Sequence, residues 1–186
     1  MLPFKAALRK KLRAHIRCGG IIAYATASCF GIGCDPRNAK AIKQLLRIKQ
    51  RPWHKGLIII GHHLSVLKPY IVTLTSDEIQ KTKEVWPGPH TLLITPSNKV
   101  LRLVKGRNNK VAVRVDAHRE AATACRILGA AVISTSLNLS GKLPVKSYRN
   151  ALRLFGNRLL VLPGRIGKSK TPSTIQDLST GRIFRK

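Results

Sequence analysis

The chain has 186 residues, 44% of them hydrophobic, enough for one compact domain with a sizeable core, and no apolar run approaches the roughly 20 residues that span a bilayer. Lys and Arg number 35 against 7 Asp and Glu, a net charge of +28. So few acids leave little for paired-carboxylate glycoside hydrolysis or carboxylate-rich two-metal sites, and the positive field favours nucleotides, RNA or phosphorylated metabolites.

Residues 1–20 are Arg-rich and acid-free, as in an organellar transit peptide. Phe4, Leu8, Leu12 and Ile16 nevertheless recur every four residues, and Gly19-Gly20 follow. That pattern predicts the first helix of the domain and its end. Residues 21–28 (IIAYATAS) read as a strand, with Gly31 and Gly33 as a turn. Residues 35–50 read as a helix with Asp35 as N-cap and Pro36 as first helical residue. Ile42, Leu45 and Leu46 form its inner face, and Pro52 ends it. Residues 57–61 (LIIIG) predict a short buried strand, and 91–97, 111–115 and 132–136 predict further strands. Residues 118–129 and 147–156 read as helices closed by Gly129 and Gly156, with late strands in 158–164 and 173–179. The chain shows no internal repeat and no low-complexity linker. Mixed α/β layers around one sheet, in a single domain over 1–186, is the economical architecture.

Cys18, Cys29, Cys34 and Cys125 form no Cys-x-x-Cys pair, and no His pair has zinc-finger spacing. They read as reduced, mostly buried thiols in a cytosolic protein with no metal site of its own. His62-His63 reads as structural.

Five stretches carry candidate chemistry. In KQRPWHKGL (49–57), Lys49 and Arg51 can clamp an anion, with Lys55 nearby. Taken alone, they equally complement the dipole of a helix C-terminus. In STSLNLSG (134–141), Ser134 and Ser136 share one strand face and Asn138 lies on the turn beyond. Such groups bind phosphate, ribose or amino-acid atoms, or else satisfy their own turn. Thr26 sits where a strand ends near glycines, Pro87-Gly88-Pro89 makes a rigid corner, and Ser173 opens a polar strand. Walker A, Rossmann and nucleophile-elbow patterns are absent.

In this order the stretches resemble the YrdC/TsaC family, the threonylcarbamoyl-adenylate synthases. The resemblance rests on GCDP (33–36), IKQRP (48–52), KGL (55–57), PY (69–70), WPGP (86–89), VAVRV (111–115), STS-x-NLSG (134–141), FG (155–156) and PSTI-x-DL-x-TG-R (172–182). It runs from the first strand almost to the C-terminus and fits the short, single-domain form.

The resemblance implies a twisted mixed sheet flanked by helices, with a large basic concave pocket. It implies synthesis of L-threonylcarbamoyl-AMP and pyrophosphate from L-threonine, bicarbonate and ATP. Mg2+ would arrive on the nucleotide phosphates. Downstream proteins would transfer the threonylcarbamoyl group to tRNA in the cytoplasm. The family's Lys-x-Arg … Ser-x-Asn signature falls on Lys49, Arg51, Ser136 and Asn138 as the catalytic set. Thr26 and Arg51 would meet the threonine. Lys49, Pro87, Gly88, Pro89, Ser134, Ser136, Asn138 and Ser173 would meet the nucleotide, under a cationic lid formed by 49–57. Ala25 and Ala27 depart from the family's Tyr-Pro-Thr-Glu stretch, and Leu137 replaces the usual Ala, which predicts a crowded pocket. The alternative is a non-catalytic protein that binds tRNA or rRNA, or one that acts in ribosome maturation. The charge favours it, but aromatics are only 5% and offer no stacking platform. Weak, salt-sensitive RNA association is compatible with either reading.

Overall fold

A computed structural model describes residues 4–186. The predicted first helix forms as α1 (Ala6–Arg17), with Leu12 and Ile16 buried; its first three predicted residues lie outside the described residues. Strands β1 (Ile22–Ala25) and β2 (Phe30–Gly33) then pair antiparallel. Gly31 and Gly33 therefore lie in a strand and do not make the expected turn. The turn spans Thr26–Cys29, where Thr26 N–H donates to Cys29 O at 3.0 Å. The glycines instead make room for the buried Tyr24 ring. A Cβ at Gly33 would lie 2.1 Å from Ile133 O and 3.2 Å from Tyr24 Oη.

Helix α2 is Ala39–Lys49, three residues shorter at its start than expected. Asn38 is the N-cap, accepting from Ala41 N–H at 3.0 Å. Asp35 is occupied by Arg37, accepting from its backbone N–H at 2.9 Å and pairing with its guanidinium. An Asp-Pro step followed by a second capping residue offers two starts, and the nearer Asn takes the helix. Strand β3 (Ile58–Gly61) follows. Helix α3 (Ser76–Val85) was not anticipated, although Thr75 and Glu78 form a reciprocal capping box at its start.

The remaining elements are β4 (His90–Ile94), α4 (Arg102–Lys105), β5 (Val111–Val115), α5 (Arg119–Leu128), β6 (Val132–Ser136), α6 (Tyr148–Phe155), β7 (Leu160–Val161), β8 (Thr174–Asp177) and β9 (Ile183–Arg185). Strand β9 is an addition to the sequence reading. Gly129 closes α5 in the left-handed region at φ 63°.

All nine strands join one mixed sheet in the order β7-β1-β2-β6-β3-β5-β4-β8-β9. One face carries the larger core, where Ile32, Ile59, Val113 and Ile133 pack with Ile42 and Leu45 of α2. The other carries Ile22, Tyr24, Ile60 and Val132 against α1 and Ala121, Ala124 and Cys125 of α5. Pairing register places polar residues on that second face. Ser134 and Ala112 lie opposite Ile58, and Arg114 lies opposite Ile60. Among the described residues, no helix is long and apolar enough to cross a membrane.

Candidate functional site

The site grows from the exit of α2. Lys49 is its last residue and only 3% exposed. The next residue, Gln50, has φ 51°, a left-handed conformation that an ordinary side chain rarely adopts. It caps the helix while Arg51 N–H returns to Leu46 O at 2.9 Å. The reversal keeps both cations at the helix end but sends them to different partners. Lys49 Nζ donates to Ser136 O, to Asn138 O at 3.1 Å and to Asn138 Oδ1 at 2.9 Å. Arg51 donates through Nε and Nη2 to Gly56 O at 3.2 and 2.9 Å. Burial and the charge of Arg51 pull the Lys49 pKa down to about 8; burial also lowers that of Arg51.

Asn138 knits the Ser-x-Asn turn together. Its Oδ1 also accepts from Ser136 Oγ at 2.7 Å, and its Nδ2 donates to Lys142 O at 2.6 Å. Lys49 grips the same turn through its backbone, accepting from Ser140 N–H at 2.9 Å. Lys49, Ser136 and Asn138, 87 and 89 positions apart from the lysine, thus form one hydrogen-bonded unit. Leu137 does not crowd it. That side chain is fully buried in the core on the opposite face, as strand alternation requires.

Thr26 lies beside this unit. Its Oγ1 donates to Cys29 O at 2.8 Å, and its methyl lies 3.1 Å from where a Cβ on Gly31 would sit; Gly31 in turn pairs with Ser136. Ala25 is buried in the core, and Gly164 and Gly167 pack closely against Ala25 and Ala27. A cavity of about 630 Å3 lies between Glu120, Lys146, Ser147, Tyr148, Gly164 and Arg165, and none of the candidate site residues lines it.

The far wall is built from β4, β8 and β9. Ser173 Oγ lies 2.8 Å from Thr91 Oγ, and Arg185 donates to Ser173 O at 2.8 and 2.9 Å and to its Oγ at 3.1 Å. The Pro87-Gly88-Pro89 corner abuts this wall. Gly88 N–H donates to Val115 O, and Pro89 O accepts from Thr174 N–H, both at 3.0 Å. The Trp86–Pro87 peptide is cis. Ser134 is buried on the sheet face between the two walls.

Sequence reasoning missed Arg114, Asp116, Thr91 and Arg185. Arg114 had a signal, a lone charge inside the apolar alternation VAVRV. Arg185 had none, because β9 is exposed along its length. Burial and the nearby charges of Arg114 and Arg51 lower the Arg185 pKa, so these arginines share one electrostatic neighbourhood. Segment 53–55, within the expected lid, packs against α4 and the turn after it. Trp53 lies under the Arg102 guanidinium at 5.0 Å, and His54 O accepts from Arg107 N–H at 3.1 Å. Lys55 is exposed and joins none of these contacts. No cluster of three metal-ligating side chains occurs among the described residues. A surface rich in cations, hydroxyls and one carboxamide can bind and align several anions, and it offers little for proton abstraction.

Comparison with known proteins places the chain in one family. The profile of a family described as "Telomere recombination" (Sua5, YciO, YrdC) matches residues 14–186. A threonylcarbamoyl-AMP synthase of Methylobacillus flagellatus is 51% identical over 176 residues, covering 95% of this chain and 98% of that protein. The synthase of Chromobacterium violaceum is 45% identical over 178 residues, covering 96% and 92%. Among solved structures, P. abyssi Sua5 complexed with L-threonine superposes with a TM-score of 0.84 at 27% identity. That match covers 94% of this chain and 53% of Sua5, so the chain spans about half of that protein. E. coli YciO shares the fold, with a TM-score of 0.83 at 24% identity over 98% of this chain and 90% of YciO.

Proposed function

The chain belongs to the Sua5/YciO/YrdC family, and from that premise we propose that it is a threonylcarbamoyl-AMP synthase. It joins L-threonine, bicarbonate and ATP. The threonine amine first takes up bicarbonate as a carbamate, with loss of water. A carbamate oxygen then attacks the α-phosphorus of ATP. The new P–O bond forms as the α–β bridge breaks, and pyrophosphate leaves.

The observation that carries this reading is the Lys49–Ser136–Asn138 unit beside Arg51. Every reactant carries negative charge, so the reaction needs neutralisation and alignment more than acid–base help. In this reading Lys49 and Arg51 hold the phosphates and carbamate. Ser134, Ser136, Asn138, Ser173 and the Pro87-Gly88-Pro89 corner seat the nucleotide. Thr26 and Arg51 contact the threonine, and the buried Arg114 faces its carboxylate. Magnesium comes on the nucleotide phosphates.

The product is a reactive mixed anhydride, so a downstream transferase must consume it in the same compartment, here the cytoplasm, for threonylcarbamoylation of tRNA. The net charge of +28 also supports weak tRNA association at the surface. An affinity for tRNA unchanged between low and high salt would remove that part.

Incubation with L-threonine, bicarbonate and α-labelled ATP tests the reaction. A labelled adenylate that depends on both threonine and bicarbonate, and is lost in Lys49→Ala/Arg51→Ala, is expected. ATP binding without product would overturn the synthase reading and favour a non-catalytic RNA-binding protein.

A further inference from the structure

Asp116 follows β5 directly and is 5% exposed in a chain with only 7 acidic residues. Burying a carboxylate costs several kcal/mol unless it is fully paired. Its partners are specific. Oδ2 accepts from Arg114 Nη2 at 2.5 Å, Oδ1 accepts from His118 N–H at 2.8 Å, and its own N–H donates to Gly61 O at 3.0 Å. It therefore fixes one end of the Arg114 guanidinium to the strand β3 backbone and to the start of α5.

Arg114 is itself 13% exposed, and its Nε is buried without a hydrogen-bond partner. A buried, unpaired N–H on a charged group is costly, and it points to an acceptor that arrives from outside the chain. The guanidinium is a planar fork, so fixing Nη2 also fixes the direction of the remaining donors. Asp116 is the carboxylate paired with that guanidinium, and it holds the plane against repulsion from Arg185.

We propose that Asp116 is a positioning residue for substrate recognition, holding Arg114 so that its free N–H groups meet the carboxylate of the amino-acid substrate. This rests on the synthase reading, and the test separates the two. Asp116→Asn keeps the shape and can still accept from His118 N–H through Oδ1. It then turns an NH2 group toward Arg114, so only the pairing is lost.

The wild-type protein is first assayed for threonine-dependent adenylate. Its failure there sinks the synthase reading, and with it this inference. With an active wild type, Asp116→Asn is expected to raise the KM for L-threonine about tenfold, the loss typical of one charged hydrogen bond. The KM for ATP should change little, while the melting temperature falls by a few degrees because a buried pair is broken. The effect should disappear in an Arg114→Ala background, since Asp116 acts only through that side chain. The Arg114 Nε–H resonance should also lose its protection from solvent exchange in Asp116→Asn. Equal losses for threonine and ATP, or an undiminished effect in the Arg114→Ala background, would overturn the inference while leaving the synthase reading in place.

Discussion

Lys49 is held protonated only below about pH 8, because burial and Arg51 both disfavour its charge. If it meets a nucleotide phosphate, ATP binding must depend on that proton. An ammonium about 4 Å from a phosphate charge gains about 4 kcal/mol at an effective dielectric of about 20. At about 1.4 kcal/mol per pKa unit, this raises the bound-state pKa by about three units. Between pH 7 and pH 9 the free protein then loses most of its charged Lys49 while the complex keeps it, so the Kd for ATP should rise about tenfold. ATP itself keeps its charge over that range. Calorimetric titration of ATP with Mg2+, without threonine, from pH 6.5 to 9.5 measures the effect free of the changing amine and bicarbonate. Lys49→Met should bind weakly with a flat profile. The same depressed pKa has a consequence for stability without nucleotide. The unfolded chain holds the extra proton between about pH 8 and 10.4, so stability should rise with pH in that window. A flat wild-type binding profile, or the same slope in Lys49→Met, would refute the assignment of phosphate contact to Lys49.

Two further outcomes concern the scaffold. Burial alone would raise the Asp177 pKa. Hydrogen bonds from Lys110 at 2.7 Å, from Ser179 and from Thr180 N–H instead hold it well below the usual carboxylate range. Its contribution is therefore complete above the unfolded pKa of about 3.9 and is lost as pH falls below it. Asp177→Asn should cost about 1–3 kcal/mol at pH 7, and acid titration followed by circular dichroism should show that gap closing below pH ~4. Gly33→Ala would drive a methyl to 2.1 Å from a backbone carbonyl. Neither strand can yield without breaking the ladder, so a loss of about 3 kcal/mol is expected, seen as a melting temperature lower by about 6–12 °C.

The legible parts of the sequence were those where burial wrote a period. Strands β5 and β6 were read at their observed limits, because VAVRV alternates and VISTS is rich in β-branched residues. Helix α5 was read to its glycine cap. Helix α3 was missed because Thr82 is its one buried residue, so no apolar stripe marks it, and only the Thr75–Glu78 box betrayed it. Glycines in β2 mimicked a turn because what they accommodate, the Tyr24 ring, comes from another strand. The same locality limits the site. Lys49, Ser136 and Asn138 could be named from spacing and resemblance. That Leu137 turns into the core, and that Arg185 approaches Arg114 and Arg51, depends on sheet order that no single stretch encodes.

Gln50 bears on any library built across residues 49–51. In a search pattern the middle position of Lys-x-Arg is a wildcard, but at φ 51° it sets the handedness of the chain between the two cations. Gly and Asn enter that region at little cost, whereas Val or Ile pays about 1–2 kcal/mol. A β-branched substitution there would keep both charges and still misdirect them. Randomising the wildcard therefore samples the aim of the site, and variants that satisfy the motif on paper can fail because the backbone between its letters has changed hand.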